Sequence, residues 1–436
     1  MKNFIFISPH FPDHFVKFVH ELKEVGFRVL GIGDCPFDNL PQSLKEDLTE
    51  YYGCWNMDNF DNEVEAVRYF ENKYGHIDYL ESNNEFWLER DAKLRTIFNI
   101  EGMKEDNIKT YQHKSLMKAC FKKAGVKVAK HILISTREAA DKFVDEVGYP
   151  IFIKPDYGVG AEGDYKIKNS ADLDAFFAKK LENVTYICEQ FIPGIIVSYD
   201  GVADENSDVV FNTNDVFPPS ISDIVQSKSD LCYYTMPGLY PGFEEIGPKV
   251  IKAFEVKKRF FHIEFFVLTA DVPGFAKKGE IVGLETNMRP AGGYTTDMVN
   301  FANSIDCYRI YADVMMGNPV SIPNYEKFYC ACASRRDGVS YRRDERLIYE
   351  RYPICASGRY AKVLSGAMGD KYFMCKFKSL DEVDAFNKFV VEKIDPARRN
   401  KNPYMTGEDI DMFHERELEN KHKSDTTICD TNIDGA

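Results

Sequence analysis

No stretch of the chain approaches the roughly 18 consecutive apolar residues that a membrane-spanning helix needs. The segment from Met1 to Asp13 also lacks the long apolar run and small-residue cleavage site of a secretory leader. No membrane partner and a cytoplasmic location are the expectations. None of the eleven cysteines forms a C-x-x-C pair, and the nearest two are Cys330 and Cys332. Such scatter reads as reduced, mostly buried thiols, not as a disulfide framework or a zinc site. Positive charge is in deficit: 55 Lys and Arg stand against 69 Asp and Glu, for a net charge of −14. Phosphate backbones and anionic lipids call for the opposite balance, so no nucleic-acid partner is expected, although one local basic pocket for a nucleotide remains compatible. The turn after the first apolar run carries no G-x-G-x-x-G, which removes the dinucleotide fingerprint. Repeats at solenoid spacing are absent as well.

What is present suits two or three subdomains: 436 residues, 44% of them hydrophobic and 14% aromatic. An apolar run at Asn3–Ser8, helical spacing from Asp13 to Val25 and a second apolar run at Phe27–Ile32 predict a βαβ unit. Ile77–Leu80 predicts a further strand and Glu85–Ile97 a further helix, so the first hundred residues read as a doubly wound parallel sheet. A basic amphipathic helix is predicted at 110–125. Strands and helices then alternate from Lys127 to Phe191, antiparallel strands are predicted at 195–215 and 259–285, and a strand followed by a helix at 372–394. The polar tail from about residue 401 is expected to lack fixed structure.

Three segments carry chemistry. In the first, from Gly283 to Gly293, Glu285 and Asn287 are two residues apart and share one face of a strand. A carboxylate and an amide oxygen are hard ligands of the kind Mg²⁺ prefers. Arg289 shares that face if the strand continues, where its planar fork suits a phosphoryl or carboxylate group. Gly292 and Gly293 would let backbone approach a ligand. Upstream, Glu264 sits among aromatics in Phe261–Phe266, and a metal shared with Glu285 would satisfy it; the competing reading is an outward strand charge. In the second segment, Lys154 ends an apolar strand and leads into a loop with Gly158, Gly160 and Gly163, whose N–H groups can cradle phosphates. Its spacing is not that of a P-loop. The third, Tyr186–Gly194, reads alone as a strand ending in a turn, and Lys114 alone as a solvated helix lysine.

Taken together and in this order, these segments resemble the ATP-grasp superfamily, and within it carboxylate–amine ligases of the L-amino-acid ligase type. The resemblance covers about residues 1–320. It implies an α/β fold with an N-terminal Rossmann-like domain at 1–109. A two-lobed ATP-grasp domain with antiparallel sheets would follow at 110–320, its smaller lobe at 110–188 and its larger at 189–320. A small lid-like C-terminal subdomain would occupy 321–400, with the tail at 401–436. The implied cofactors are ATP and two Mg²⁺ ions, with Mn²⁺ as a substitute. Lys114, Lys154, Gly158, Gly160, Gly163, Glu189, Gln190 and Ile192 would bind ATP, the last two through backbone groups. Glu264, Glu285 and Asn287 would bind the metal, and Arg289 and Lys154 would be catalytic. Glu85, His262, Arg289, Gly292 and Gly293 would face substrate. For Glu85 the competing reading is a charge complementing a helix N-terminus, and for His262 a satisfied core histidine. Where many relatives have a ribose-binding acid this chain has Ile196, with Asp200 as a candidate substitute. The implied activity is ATP-dependent joining of a small-molecule carboxylate to an amine, with ADP and phosphate released and a homodimer in keeping with relatives. Two alternatives stand beside it: a purine-pathway or carboxylase-type enzyme using formate or bicarbonate, and a non-catalytic nucleotide sensor. The arginines 335, 336, 342 and 343 are either an anion site for the former or a solvated face. No biotin-acceptor Met-Lys-Met is present.

Overall fold

The computed structural model describes residues 1–158, 164–218 and 229–394. Gly160, Gly163 and the tail from 401 therefore lie outside the described residues. The chain divides into two compact units: Met1–Ser229 with Tyr233–Cys330, and Asp230–Cys232 with Ala331–Ala436.

In the first unit, β1 (Asn3–Ile7), β2 (Arg28–Gly33), β3 (Glu50–Gly53) and β4 (Tyr79–Glu81) form a sheet in the order β3-β2-β1-β4, every pair parallel. β1 and β2 are buried almost throughout, as a sheet covered on both sides requires. Phe4 and Phe6 pack with Phe18 and Leu22 of the helix Val16–Glu24 on one side. Ile5 and Ile7 pack with Val67 and Phe70 of the helix Phe60–Tyr74 on the other. The sheet is thus doubly wound, as predicted. Strand β3 carried no clear signal, because it is short and half-buried at every position; the helix Phe60–Tyr74 was not predicted, although Ala66, Val67 and Phe70 share its buried side.

A second sheet is antiparallel throughout. It contains β6 (His131–Ile134), β7 (Ile151–Pro155), β8 (Tyr165–Ile167) and β9 (Tyr186–Gln190), in the order β6-β9-β7-β8. The larger sheet is built on β10 (Gly194–Ala203), β14 (Arg259–Leu268) and β15 (Ile281–Asn287), with β5 (Lys127–Val128) parallel to β15 at its edge. On its other flank lie β11 (Val209–Thr213), β12 (Asp215–Phe217) and β13 (Cys232–Thr235). In β14 the alternation is sharp. Phe261, Ile263, Phe265 and Val267 enter a core with Phe121 and Phe243, which sends His262 and Glu264 to the opposite face. The second unit holds β16 (Tyr329–Arg335) from Ala331 onward, β17 (Ile354–Arg359) and β18 (Lys371–Phe377), in the order β17-β18-β16. The helix Leu380–Val391 follows, opened by a capping box at Ser379 and Glu382.

Two contacts place the first sheet and the helix Lys114–Lys123 against the larger sheet. Glu81, at the end of β4, is buried between Arg95 at 2.8 Å and Arg259 at 3.3 Å. Arg259 in turn donates to the Met288 carbonyl at 3.0 Å. On the apolar face, Gly283 allows the Phe121 ring to lie on β15, and a Cβ there would meet that ring at 2.6 Å. Gly283→Ala should therefore cost about 1–3 kcal/mol through overpacking, read as a lowered melting temperature by calorimetry. An unchanged melting temperature would mean that the helix is free to move away.

Candidate active site

Glu264 and Glu285 face each other directly. They are partners in the antiparallel register of β14 and β15, so both side chains leave the same face. The register shifts immediately after Glu264, where Phe265 pairs with Gly283 and Leu284 is the extra residue of a bulge. This bulge reconciles Gly283 on the core face with Glu285 on the polar face. Glu285 is pushed above the usual carboxylate range by burial and by Glu264 opposite it. Glu264 is held low despite its burial, chiefly by His262. Two opposed carboxylates with an amide two residues further on, at Asn287, form an oxygen-rich set with surplus negative charge. That is the chemistry a divalent cation fits. Among the described residues no group of three or more His, Cys, Asp and Glu side chains is arranged around a metal position, so Asn287 would have to serve as a ligand beside the two acids.

His262 pairs with Asn287 across the strands and is buried. Its Nδ1 is 2.6 Å from Asp200 Oδ1 and its Nε2 is 3.3 Å from Glu264 Oε1, so both ring nitrogens are engaged. Burial alone would lower its pKa, but Asp200 and Glu264 raise it to about 10. Asp200 accepts from Ser198 through its second oxygen. Both of its oxygens are thus committed inside the protein, which leaves it poorly suited to a ribose hydroxyl. Strand β15 ends at Asn287, but Arg289 keeps company with it through Glu85. That carboxylate accepts from Arg289 Nε at 3.0 Å. With its amide nitrogen turned towards Glu85, Asn287 donates to the same carboxylate at 2.8 and 3.1 Å. Gly293 has φ 63, and Gly292 accepts from the Thr295 hydroxyl at 2.6 Å.

The lysines arrive from the other side. Lys154, next to last in β7, has Nζ 3.7 Å from Glu189 and 3.8 Å from Asp164. Burial would lower its pKa, yet Glu189, Asp164, Glu285 and Glu264 together raise it, so it stays a cation while sensing both sheets. Lys114 opens its helix with its N–H on the Asp156 carbonyl at 2.9 Å and Nζ 3.4 Å from the Gly158 carbonyl. Gly158 itself has φ 141, in the region that favours glycine. Gln190 gives its N–H to the Lys130 carbonyl at 2.9 Å, and its side-chain Oε1 is buried without a partner among the described residues. The Ile192 side chain is buried with Leu268 and Val282.

Lys118 had no assigned role in the sequence. It is 1% exposed, 2.7 Å from Glu189 Oε1, and donates to the Leu284 carbonyl at 2.9 Å. The signal was its position four residues after Lys114, on the same helix face. Asp156 was also missed. It binds His113 at 3.0 Å and the Ser115 N–H at 2.8 Å, anchoring the start of that helix.

Residues 113–214 match the family model described as "Carbamoyl-phosphate synthase L chain, ATP binding domain". The L-amino acid ligase structure from Bacillus licheniformis superposes with a TM-score of 0.67 at 15% identity, over 89% of this chain and 96% of that one. The Staphylococcus aureus N5-carboxyaminoimidazole synthetase complexed with ADP superposes at 0.65 and 16% identity, over 89% and 97%. The chain has the ATP-grasp fold. In sequence, this ATP-grasp chain is 26% identical over 131 residues to the alanine–anticapsin ligase of Bacillus subtilis, covering 27% of this chain and 28% of that protein. It is 29% identical over 93 residues to the N5-carboxyaminoimidazole ribonucleotide synthase of Vibrio parahaemolyticus, covering 20% and 25%. The matches thus span about a quarter of the length of these curated relatives. No helix among the described residues is long and apolar enough to cross a membrane.

Burial would raise Glu189, but Lys118 and Lys154 bring it down to about 2 from an ordinary 4.5. A depressed carboxylate adds stability above its unfolded pKa and loses it as the pH falls through the folded one. About 3 kcal/mol should therefore disappear between about pH 5 and pH 2. Melting temperatures across this range should show the loss, and Glu189→Gln should flatten that part of the profile while lowering the value near neutrality, because Lys118 is left unpaired.

Proposed function

We propose that this protein is an ATP-dependent ligase that joins a carboxylate to an amine and forms ADP and phosphate. The observation that carries the reading is the opposed pair Glu264 and Glu285, with Asn287 beside them and Lys154 within their field. Surplus negative charge set against a fixed cation suits a metal-bound triphosphate. The activities named for the proteins it resembles, ligases and synthases alike, support it.

In this reading residues 110–188 and 189–320 are the two halves that clasp the nucleotide. Glu264, Glu285 and Asn287 would hold Mg²⁺, which neutralises phosphate charge when bound. ATP supplies the phosphoryl group that turns a substrate carboxylate into an acyl phosphate, from which an amine displaces phosphate to give the amide. Lys114 and Lys154 place fixed positive charge against the phosphates, and no reorganisation is needed at the moment of transfer. Arg289, held by Glu85, presents its remaining donors to the transferring group. His262 acts one step back, as a buried imidazolium that orients Glu264. Glu189, Gln190 and Ile192 line the nucleotide edge, with the Gln190 side-chain oxygen as a further acceptor.

The test is phosphate release from ATP and Mg²⁺ across a matrix of carboxylates and amines, with products weighed by mass spectrometry. Release that needs both substrates, with a product lighter by one water than their sum, is expected. Lys154→Ala and Glu285→Ala should each lower kcat at least about 100-fold. Near-normal turnover in either would sink the assignment. Release with bicarbonate or formate alone would move the protein to the carboxylase-type reading, and ATP binding with no turnover to the sensor.

Separately, Mg²⁺ with ADP should raise the melting temperature of the wild type. Glu285→Gln should remove the magnesium-dependent part of that rise. A shift of equal size in the variant would place the ion elsewhere.

A further inference from the structure

Glu85 stands in the short loop between β4 and the helix Leu88–Ile97. Asp91 of that helix is buried and fixes the loop. It accepts from the Ser82 N–H at 3.0 Å and from the Ser82 hydroxyl at 2.7 Å. Ser82 Oγ accepts in turn from the Asn84 N–H at 3.1 Å, and Asn84 Oδ1 accepts from the Phe86 N–H at 3.1 Å. Glu85 is thus presented by two side-chain-capped turns. Its carboxylate meets the segment that closes β15. Oε2 accepts from both Nε and Nη2 of Arg289. The turned amide of Asn287 donates to Oε1 at 2.8 Å and to Oε2 at 3.1 Å. The backbone between these two residues is held as well, because Arg259 Nη2 donates to the Met288 carbonyl at 2.7 Å.

These bonds have a direction. A carboxylate offers acceptors only, whereas a primary amide has donors at one end and an acceptor at the other. Glu85 therefore dictates which end of Asn287 faces it. The nitrogen must point to Glu85, and Oδ1 is left on the opposite side of the amide. That choice matters for a cation, because an amide oxygen is a hard ligand and an amide N–H₂ group is none. An asparagine without such a partner can turn end for end and lose its ligand atom. The loop that carries Glu85 follows the first sheet, so the metal set on β14 and β15 has one of its determinants outside the larger sheet.

We propose that Glu85 is a positioning residue for metal binding: its carboxylate fixes the Asn287 amide with the oxygen turned to the opposed acids Glu264 and Glu285, and holds Arg289 beside them. The inference rests on the reading of Glu264, Glu285 and Asn287 as a Mg²⁺ site and adds a residue that controls it. Removing an outer partner of this kind ordinarily weakens metal binding 10–100-fold. The donor–acceptor sense of the contact also makes it reversible. A glutamine at 85 offers an N–H₂ end of its own and lets Asn287 turn round. An aspartate at 287 could accept from that glutamine through one oxygen and still present the other to the cation.

Calorimetric titration of Mg²⁺ into the full chain saturated with ADP, with no other substrate present, tests this. Glu85→Gln should weaken Mg²⁺ binding at least about tenfold. Its affinity for ADP without Mg²⁺ should stay as in the wild type, which a general folding defect would not allow. Glu85→Ala should lose as much, and carries the test if Glu85→Gln does not fold. In an Asn287→Asp background, Glu85→Gln should no longer weaken binding, because the new amide can donate to the new carboxylate. Unchanged Mg²⁺ affinity in either folded single variant would overturn the proposal; an acid that only faced a substrate gives that result. An equal loss in both backgrounds would also overturn it, since removal of charge alone acts on both alike. Glu285→Gln, titrated beside these variants, tells the two readings apart. Mg²⁺ binding intact in Glu285→Gln would remove the metal site and the proposal with it. Binding lost in Glu285→Gln but intact in Glu85→Gln would remove the proposal alone.

Discussion

Two carboxylates facing each other across neighbouring strands repel, and the surroundings of Glu264 and Glu285 can be read as the answer to that repulsion. Cross-strand like charges destabilise a sheet even at its surface. Here burial sharpens the conflict, and the chain meets it with cations at graded distance. His262 sits beside Glu264, Lys154 comes from the antiparallel sheet, and Arg289 is held close by Glu85. Each cation has a second acidic partner of its own: Asp200, Glu189 and Glu85 respectively. The result is an alternating lattice of charge in which Glu264 is held low by its cations and Glu285 is left raised. A protein that only needed stability would have replaced them with apolar residues, since buried ion networks seldom out-stabilise good packing. Their presence marks a place where binding energy is kept for a guest.

Much of this was legible in the residues. The spacing of Glu285 and Asn287 showed a shared polar face, Arg289 lies past the end of that strand and joins the set only through Glu85, and the apolar runs Asn3–Ser8 and Phe27–Ile32 showed the parallel sheet. The strands of Glu264 and Glu285 are antiparallel neighbours, in keeping with the metal shared between them that the sequence suggests. Their register was not legible, because the bulge at Leu284 shifts the pairing by one residue and periodicity carries no mark of a bulge. Lys118 was hidden for a different reason. A lysine on an amphipathic helix is ordinarily a solvated one, and only the fold shows that this one points inwards. The helices Phe243–Ala253, Thr295–Asn303 and Cys307–Met316 were not predicted; the first packs into the core with Phe121 and Phe265, the other two into the core with Phe18 and Phe260.

Lys118 also has a mechanical meaning. Its ammonium touches Glu189 on the antiparallel sheet and the Leu284 carbonyl on the larger one. It works as a pin through both leaves of a clasp. Prising the leaves apart would strip a buried charge of its acid and a bulge of its only bonded cation among the described residues, a heavy toll for each turnover. Any motion between these two sheets is therefore expected to hinge about Lys118 and to leave this contact in place.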